Sequence, residues 1–311
     1  MSEYLSSWSE TPTKQTIIDF VATVTDSASP SHVPPRDRVA VFDNDGTLWC
    51  EKPLAQGVFI AQRLAEMAGE DPSLQQTQPW KAMHEGNASW IDEAVVKHYN
   101  GDDSDVQVLA AAVGRAFADV DVDEFSKSAT DFLASAEHPT YQCPYTELGF
   151  VPMIELLEYL EAHDFTCYIV SGGGRDFMRP VTEAMYRIPA DRVTGSSPGL
   201  HFVADDSGSR VMRTASLGIL DDGPTKPVQI WERIGHRPIL AAGNANGDVP
   251  MLQFATDQEG PSLALFVHHD DDTREVAYDV GADVVIEQAK NRGWTTISVA
   301  DDWNKVFAHE S

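Results

Sequence analysis

Two kinds of hydrophobic pattern alternate along the chain. Short unbroken apolar runs have the length of strands, and longer segments carry apolar residues every three or four positions, as helices do. Val39-Ala40-Val41-Phe42 is such a run, too short for a helix and apolar on both faces, as a strand buried in a parallel sheet is. Phe165 to Val170, Pro238 to Ala242 and Leu263 to Val267 repeat the pattern, and Ile188 to Ser197, Val284-Val285 and Thr295 to Val299 suggest further strands or edges. Helical spacing marks the segment up to about Asp26, where Ile17, Ile18, Phe20, Val21 and Val24 are apolar. It recurs in Met153 to Ala162, in a segment from about Asp176, and in Pro227 to Ile234. Ser27 to Pro35 reads as a loop, and Leu200 to Arg213 alternates around Asp206-Ser207-Gly208 as a hairpin does.

Strands alternating with helices predict an α/β fold built on a doubly wound parallel sheet. Between Leu54 and about His138 the texture changes to helix after helix: Val58 to Met67, Trp90 to His98, Val106 to Phe117 and Val122 to Ala136. So much helix after the first strand suits a separate cap domain rather than a simple crossover. The expected division is a core of residues 1–53 and 139–311 and a helical cap of residues 54–138.

With 311 residues and 42% hydrophobic content, the chain has enough apolar material for a real core. It carries 49 acidic against 22 basic residues, a formal net charge of -27. Such a surface repels nucleic acid and anionic membrane, so neither is an expected partner. It also repels phosphorylated substrates, so a phosphate site would need local positive charge. The acidic patches Asp102-Asp103, Asp205-Asp206, Asp221-Asp222 and Asp270-Asp271-Asp272 read, nearly all, as solvated surface. A high-salt habitat is a hypothesis that would also explain the excess. Cys50, Cys143 and Cys167 form neither a disulfide framework nor a zinc pattern, and Cys50 has no neighbouring histidine to activate it. The polar N-terminus has no signal-peptide pattern and no run approaches a membrane span, so a cytoplasmic location is expected. Oligomeric state is not legible.

The first strand ends in Asp43-Asn44-Asp45-Gly46-Thr47. Open α/β sheets bind ligands at this end of their strands. Two acids crowded there are costly unless a cation or a reaction needs them. Asp43 and Asp45 are two apart on an extended chain and lean to the same side, and Gly46 permits a sharp exit.

Asp-x-Asp-Gly-Thr after an apolar strand resembles the first motif of the haloacid dehalogenase superfamily. Ile169-Val170-Ser171-Gly172-Gly173 resembles its second, Lys226 before Pro227 its third, and Gly243-Asn244-Ala245-Asn246-Gly247-Asp248 its fourth, acidic motif. The spacing is similar to the phosphoserine-phosphatase-like branch and its acid-phosphatase relatives. The resemblance implies a Rossmann-like core with an inserted helical cap. It also implies a Mg²⁺-dependent phosphatase acting on a small phosphorylated metabolite through an aspartyl phosphate. Asp43 would be the nucleophile, Asp45 the general acid and base, and Lys226 the partner of nucleophile and phosphate. Thr47, Ser171, Gly172 and Gly173 would join Asp43 and Lys226 around the phosphate. The metal would be held by Asp43, the Asp45 carbonyl and motif four, with Asn244 against Asp248 left open because the common Gly-Asp is Gly243-Asn244 here. A second reading of Asp248 is a helix N-cap before Val249-Pro250. A phosphotransferase or phosphomutase using the same intermediate, or a non-catalytic binding protein, stays as an alternative.

In capped relatives the insertion chooses the substrate, which makes Trp80, His84, Trp90, Lys97, His98 and Tyr99 specificity candidates. Glu51, Lys52 and Arg175 flank the motifs and are candidates for the leaving group. His268 and His269 are adjacent on a strand and point apart, so they make a poor chelate and read as structural.

Overall fold

The structure, a computed structural model, describes residues 4–99, 101–206 and 208–310. In chain order the elements begin with α1 (Pro12–Thr25), β1 (Val39–Phe42), α2 (Ala55–Glu70), α3 (Trp80–His84), α4 (Ser89–Tyr99), α5 (Ser104–Ala116) and α6 (Val122–Ser135). After these come α7 (Val151–Ala162), β2 (Thr166–Gly174), α8 (Arg175–Tyr186), β3 (Val193–Asp205), β4 (Gly208–Ile219) and α9 (Thr225–Ile234). The chain finishes with β5 (Leu240–Gly243), α10 (Val249–Thr256), β6 (Leu263–His268), α11 (Asp283–Arg292), β7 (Thr295–Ser298) and α12 (Val299–Asp302).

The strands form one sheet in the order β4-β3-β2-β1-β5-β6-β7, parallel except for the β3–β4 pair. From β1 the chain winds outward through β2 and β3, then returns to the other side of β1 with β5. The direction of winding reverses beside β1, and that is where such sheets open a crevice. Alternation along β1 explains why it had to be apolar throughout. Ala40 and Phe42 enter a core with Leu156 and Leu160 of α7, while Val39 and Val41 enter a second core with Met251 and Leu252 of α10 and Val285 of α11.

Helices α2 to α6 bury a third apolar cluster of their own. Phe59 is its hub, with ring centroids 5.4 Å from Phe117, 5.2 Å from Phe132 and 5.3 Å from Phe177 of α8. The cluster is thus continuous with α8 at the edge of the sheet layer. The hairpin is longer than its alternation suggests, because β3 is a parallel sheet strand at its start and a hairpin arm at its end. Ser207, at the expected turn, lies outside the described residues.

One expected strand is a helix. Val284-Val285 belongs to the first turn of α11, where Val285 is buried and Val284 exposed. The Asn246 side-chain oxygen accepts from the main-chain N–H groups of Val284 (2.9 Å) and Val285 (3.1 Å). A residue 38 positions away therefore satisfies donors that the first turn cannot satisfy itself.

Candidate active site

β1, β2 and β5 end at one rim, and each delivers a polar group there. Asp43 follows β1, and its N–H continues the ladder to the Ala242 carbonyl at 2.9 Å. Lys226, in the first turn of α9, is 1% exposed and bridges two acids: its Nζ lies 2.8 Å from Asp43 Oδ1 and 2.5 Å from Asp248 Oδ1. Burial works against the Lys226 charge, but Asp248 and Asp43 more than offset it and keep the ammonium protonated. Asp43 moves the other way. Burial raises its pKa well above the ordinary value, and Asp248 and Asp45 add to the rise, outweighing Lys226. With one ammonium among three acids, full ionisation of the site would leave negative charge uncompensated.

Asp45 Oδ1 accepts from Trp49 Nε1 at 2.8 Å. Burial pushes its pKa up to about 6; the Trp49 hydrogen bond opposes the rise, and Glu51 adds to it. The turn that follows depends on Gly46. Its φ is +75°, and a Cβ there would lie 2.0 Å from Asn244 Nδ2. The Gly46 carbonyl lies 2.7 Å from His269 Nε2, and a carbonyl only accepts, so that nitrogen carries hydrogen. His269 Nδ1 is 2.6 Å from Glu275, while His268 pairs with Asp279. The two histidines do point apart. His269 braces the acidic turn, a role that only its contact across 223 residues reveals.

Ser171 is buried in β2, three residues before its end, with its Oγ accepting from the Gly173 N–H at 3.0 Å. The Gly174 N–H donates to Gln56 Oε1 at 2.7 Å, tying β2 to the first turn of α2. A Cβ on Gly173 would sit 3.1 Å from Asp45 Oδ2, so the glycine leaves open the space between the two motifs. In the fourth motif, Asp248 Oδ2 accepts from the N–H groups of Asn244 (2.9 Å) and Ala245 (3.0 Å). The carboxylate therefore reaches back to its own loop and makes no side-chain cap to α10. Asn244 sits between the Thr47 hydroxyl, 3.3 Å from its Oδ1, and the Tyr278 hydroxyl, 3.3 Å from its Nδ2.

These groups open onto a cavity of about 300 Å³ lined by Asp43, Asp45, Ser171, Gly172, Gly173, Lys226, Asn244 and Asp248. Thr47 is fully buried behind Asn244, away from that lining. Glu51 and Lys52 reach the cavity; Arg175 instead pairs with Asp176 at 3.2 Å. Of the specificity candidates whose side chains are described, His98 alone lines it. Trp80 packs within α2–α6 under Arg115, His84 is exposed, Trp90 is half-buried, and Lys97 pairs with Asp105. The Tyr99 side chain lies outside the described residues.

Three sequence readings change. Asp221-Asp222 is not solvated surface: Asp221 is 0% exposed, and Asp222 lines the cavity and pairs with His98 at 3.2 Å. Nor is Asp271, which is buried against Arg274. Cys50 does meet a histidine, with its Sγ 3.9 Å from His138 Nε2. Burial nevertheless pushes the thiol up to about 12, and it stays protonated.

Among the described residues, no three His, Cys, Asp or Glu side chains converge as a metal cluster. The oxygen donors that line the cavity here are the Asp43 and Asp45 carboxylates and the Asn244 carboxamide. An all-oxygen set of this kind, with negative charge in excess when the site is ionised, fits a hard divalent cation.

Residues 40–253, more than half of the chain, match the family model described as haloacid dehalogenase-like hydrolase. No curated protein matches in sequence. A conserved protein of unknown function from Anaerococcus prevotii DSM 20548 superposes with a TM-score of 0.59 at 14% identity, covering 98% of each chain. A protein of unknown function from Bordetella pertussis Tohama I gives 0.52 at 16% identity, over 84% of this chain and 97% of that one. A phosphoserine phosphohydrolase-like protein from Francisella tularensis subsp. tularensis SCHU S4 gives 0.47 at 16%, over 85% and 97%. At such identities the likeness is one of fold.

Proposed function

The chain belongs to the haloacid dehalogenase-like hydrolases, and from that premise we propose that it is a Mg²⁺-dependent phosphomonoesterase acting on a small organic phosphate. The observation that carries this reading is the Lys226 bridge between Asp43 and Asp248 beneath a cavity that Ser171 and Asp45 also line. A carboxylate, a hydroxyl, a fixed cation and a titratable acid around one cavity support this reading.

In this reading the Asp43 carboxylate attacks phosphorus, and the ester P–O bond breaks as the aspartyl phosphate forms. Asp45, protonated near its raised pKa of about 6, gives its proton to the leaving oxygen. The resulting carboxylate then takes a proton from the water that hydrolyses the intermediate and restores Asp43. Ser171, the Gly172–Gly173 main chain and Lys226 receive the phosphoryl oxygens. Asp43, the Asp45 carbonyl and Asn244 would hold Mg²⁺, with Asp248 fixing the Asn244 loop and Lys226. When bound, the cation would offset the repulsion between carboxylate and phosphate. Residues 54–138 would serve as the cap over a core of 1–53 and 139–311, with the β3–β4 hairpin packed against α5. Among the described residues no helix is long and apolar enough to cross a membrane.

Phosphate release from p-nitrophenyl phosphate with and without Mg²⁺ tests the activity. Loss in Asp43→Asn is expected, and turnover surviving in that variant would remove Asp43 as nucleophile. Adding an acceptor alcohol separates hydrolysis from transfer, since a transferase would divert the phosphoryl group from water.

A further inference from the structure

We infer that the leaving group taken by this cavity is an apolar alcohol, so that the substrate is an alkyl, prenyl or aryl phosphate rather than the phosphate of an amino acid, sugar or nucleoside. The inference rests on the phosphatase reading and deepens it. Its first support is the apolar part of the cavity wall. Ile60 of α2, Ile91 and Val95 of α4, and Leu109 and Val113 of α5 line the cavity together with Phe117. Ile91 with Val95, and Leu109 with Val113, are spaced i,i+4, so each helix turns one apolar stripe inward. A hydroxyl-rich leaving group would lose its water against this apolar wall, and the polar lining residues Gln56, Ser197 and Ser216 would have to replace it.

The second support is the state of the cations. A ligand with a second anionic group needs one that is free to receive it. Lys52 lies 3.1 Å from Glu51 and 4.6 Å from the centre of the Tyr278 ring. Arg213 is held 3.0 Å from Asp176, with its guanidinium 3.7 Å from the Phe125 ring centre. His98 lies between Asp103 (2.6 Å) and Asp222 (3.2 Å). Asp92 and Glu51, also in the lining, add negative charge. A carboxylate or second phosphate would be repelled.

The third support is the mouth. Leu217 (51% exposed), Leu220 (39%) and Val280 (63%) all belong to the lining, so the apolar surface continues outward from the chamber. At about 300 Å³ the chamber is at the small end for ligand sites, with room for a phosphoryl group and a chain of medium length.

The test is kcat/KM, with Mg²⁺ present, for linear alkyl phosphates from ethyl to octyl beside phosphoserine, glycerol phosphate and glucose phosphate. A rise of up to about fourfold per methylene is expected, mainly through KM, levelling off once the chamber is filled. Polar esters of equal size should be poor substrates. The near-isosteric variant Val113→Thr should reduce the dependence on chain length; a dependence unchanged by it would overturn the inference. A flat series, or preference for the polar esters, with p-nitrophenyl phosphate still hydrolysed would also overturn it and leave the phosphatase reading standing. Failure to hydrolyse any phosphate, p-nitrophenyl phosphate included, would overturn both.

Discussion

Replacing Asp221 by Asn should make the protein more stable at neutral pH and flatten its pH dependence. Asp221 is 0% exposed, and neither carboxylate oxygen has a hydrogen-bond partner. The adjacent Thr194 hydroxyl is spent on the Ile169 carbonyl at 3.2 Å. Burial is the main cause that pushes the Asp221 pKa from 3.8 up to about 7; Lys226 opposes the rise and Asp222 assists it. Because the folded state holds this proton more tightly than the unfolded chain, the carboxyl favours folding most below pH 4. That contribution falls as the pH climbs from about 4 to about 7 and is fully lost above. A shift of about 3 units at 1.36 kcal/mol each puts the total near 4 kcal/mol. Between pH 5 and pH 8 the wild type should therefore lose roughly 2–3 kcal/mol relative to Asp221→Asn. Denaturant unfolding of both proteins at these two pH values, at one ionic strength, measures the difference directly. Other buried acids titrate in both proteins and cancel. Parallel stability profiles for wild type and variant would refute the reasoning, because a carboxyl enclosed to this degree cannot titrate silently.

Asp45→Asn should lower kcat/KM for alkyl phosphates, which reports the steps up to departure of the leaving group, by about 10²–10⁴ but cost much less in kcat/KM with p-nitrophenyl phosphate, whose leaving oxygen needs no proton; equal losses in kcat/KM would take the acid role from Asp45. In Gly114→Ala the new Cβ would lie 2.0 Å from the Ala215 carbonyl oxygen, forcing α5 off β4, so unfolding should show a loss of about 1–3 kcal/mol. Chelating divalent cations should abolish phosphate release and Mg²⁺ should restore it; full activity in excess chelator would dismiss the metal. The net charge of -27 predicts unfolding midpoints that rise from low to multimolar salt, and equal midpoints would dismiss the high-salt hypothesis.

The outline of the fold was legible because it rests on local periodicity. Val39–Phe42 is apolar at every position since both faces of β1 are covered, and the long helices follow from their stripes. The misread positions are those where a distant group decides. Val284-Val285 has the composition of a strand, but Asn246 caps it as a helix. Asp221-Asp222 has the composition of a surface, but one is enclosed and the other faces the cavity. Neither Trp80 nor Trp90 lines the cavity, whereas Ile60, Ile91, Val95, Leu109 and Val113 do, and no local pattern distinguishes these from ordinary core.

From its sequence alone, this protein has a strand that ends in two acids, the order of four motifs, and a block of helices after the first strand. Those depend on neighbours in the chain. His269 against Gly46 and the apolar chamber over Asp45 were decided only by the tertiary structure. The reason is physical: periodicity states which face of an element avoids water, whereas what that face meets depends on distant residues, 223 positions away for His269 and Gly46.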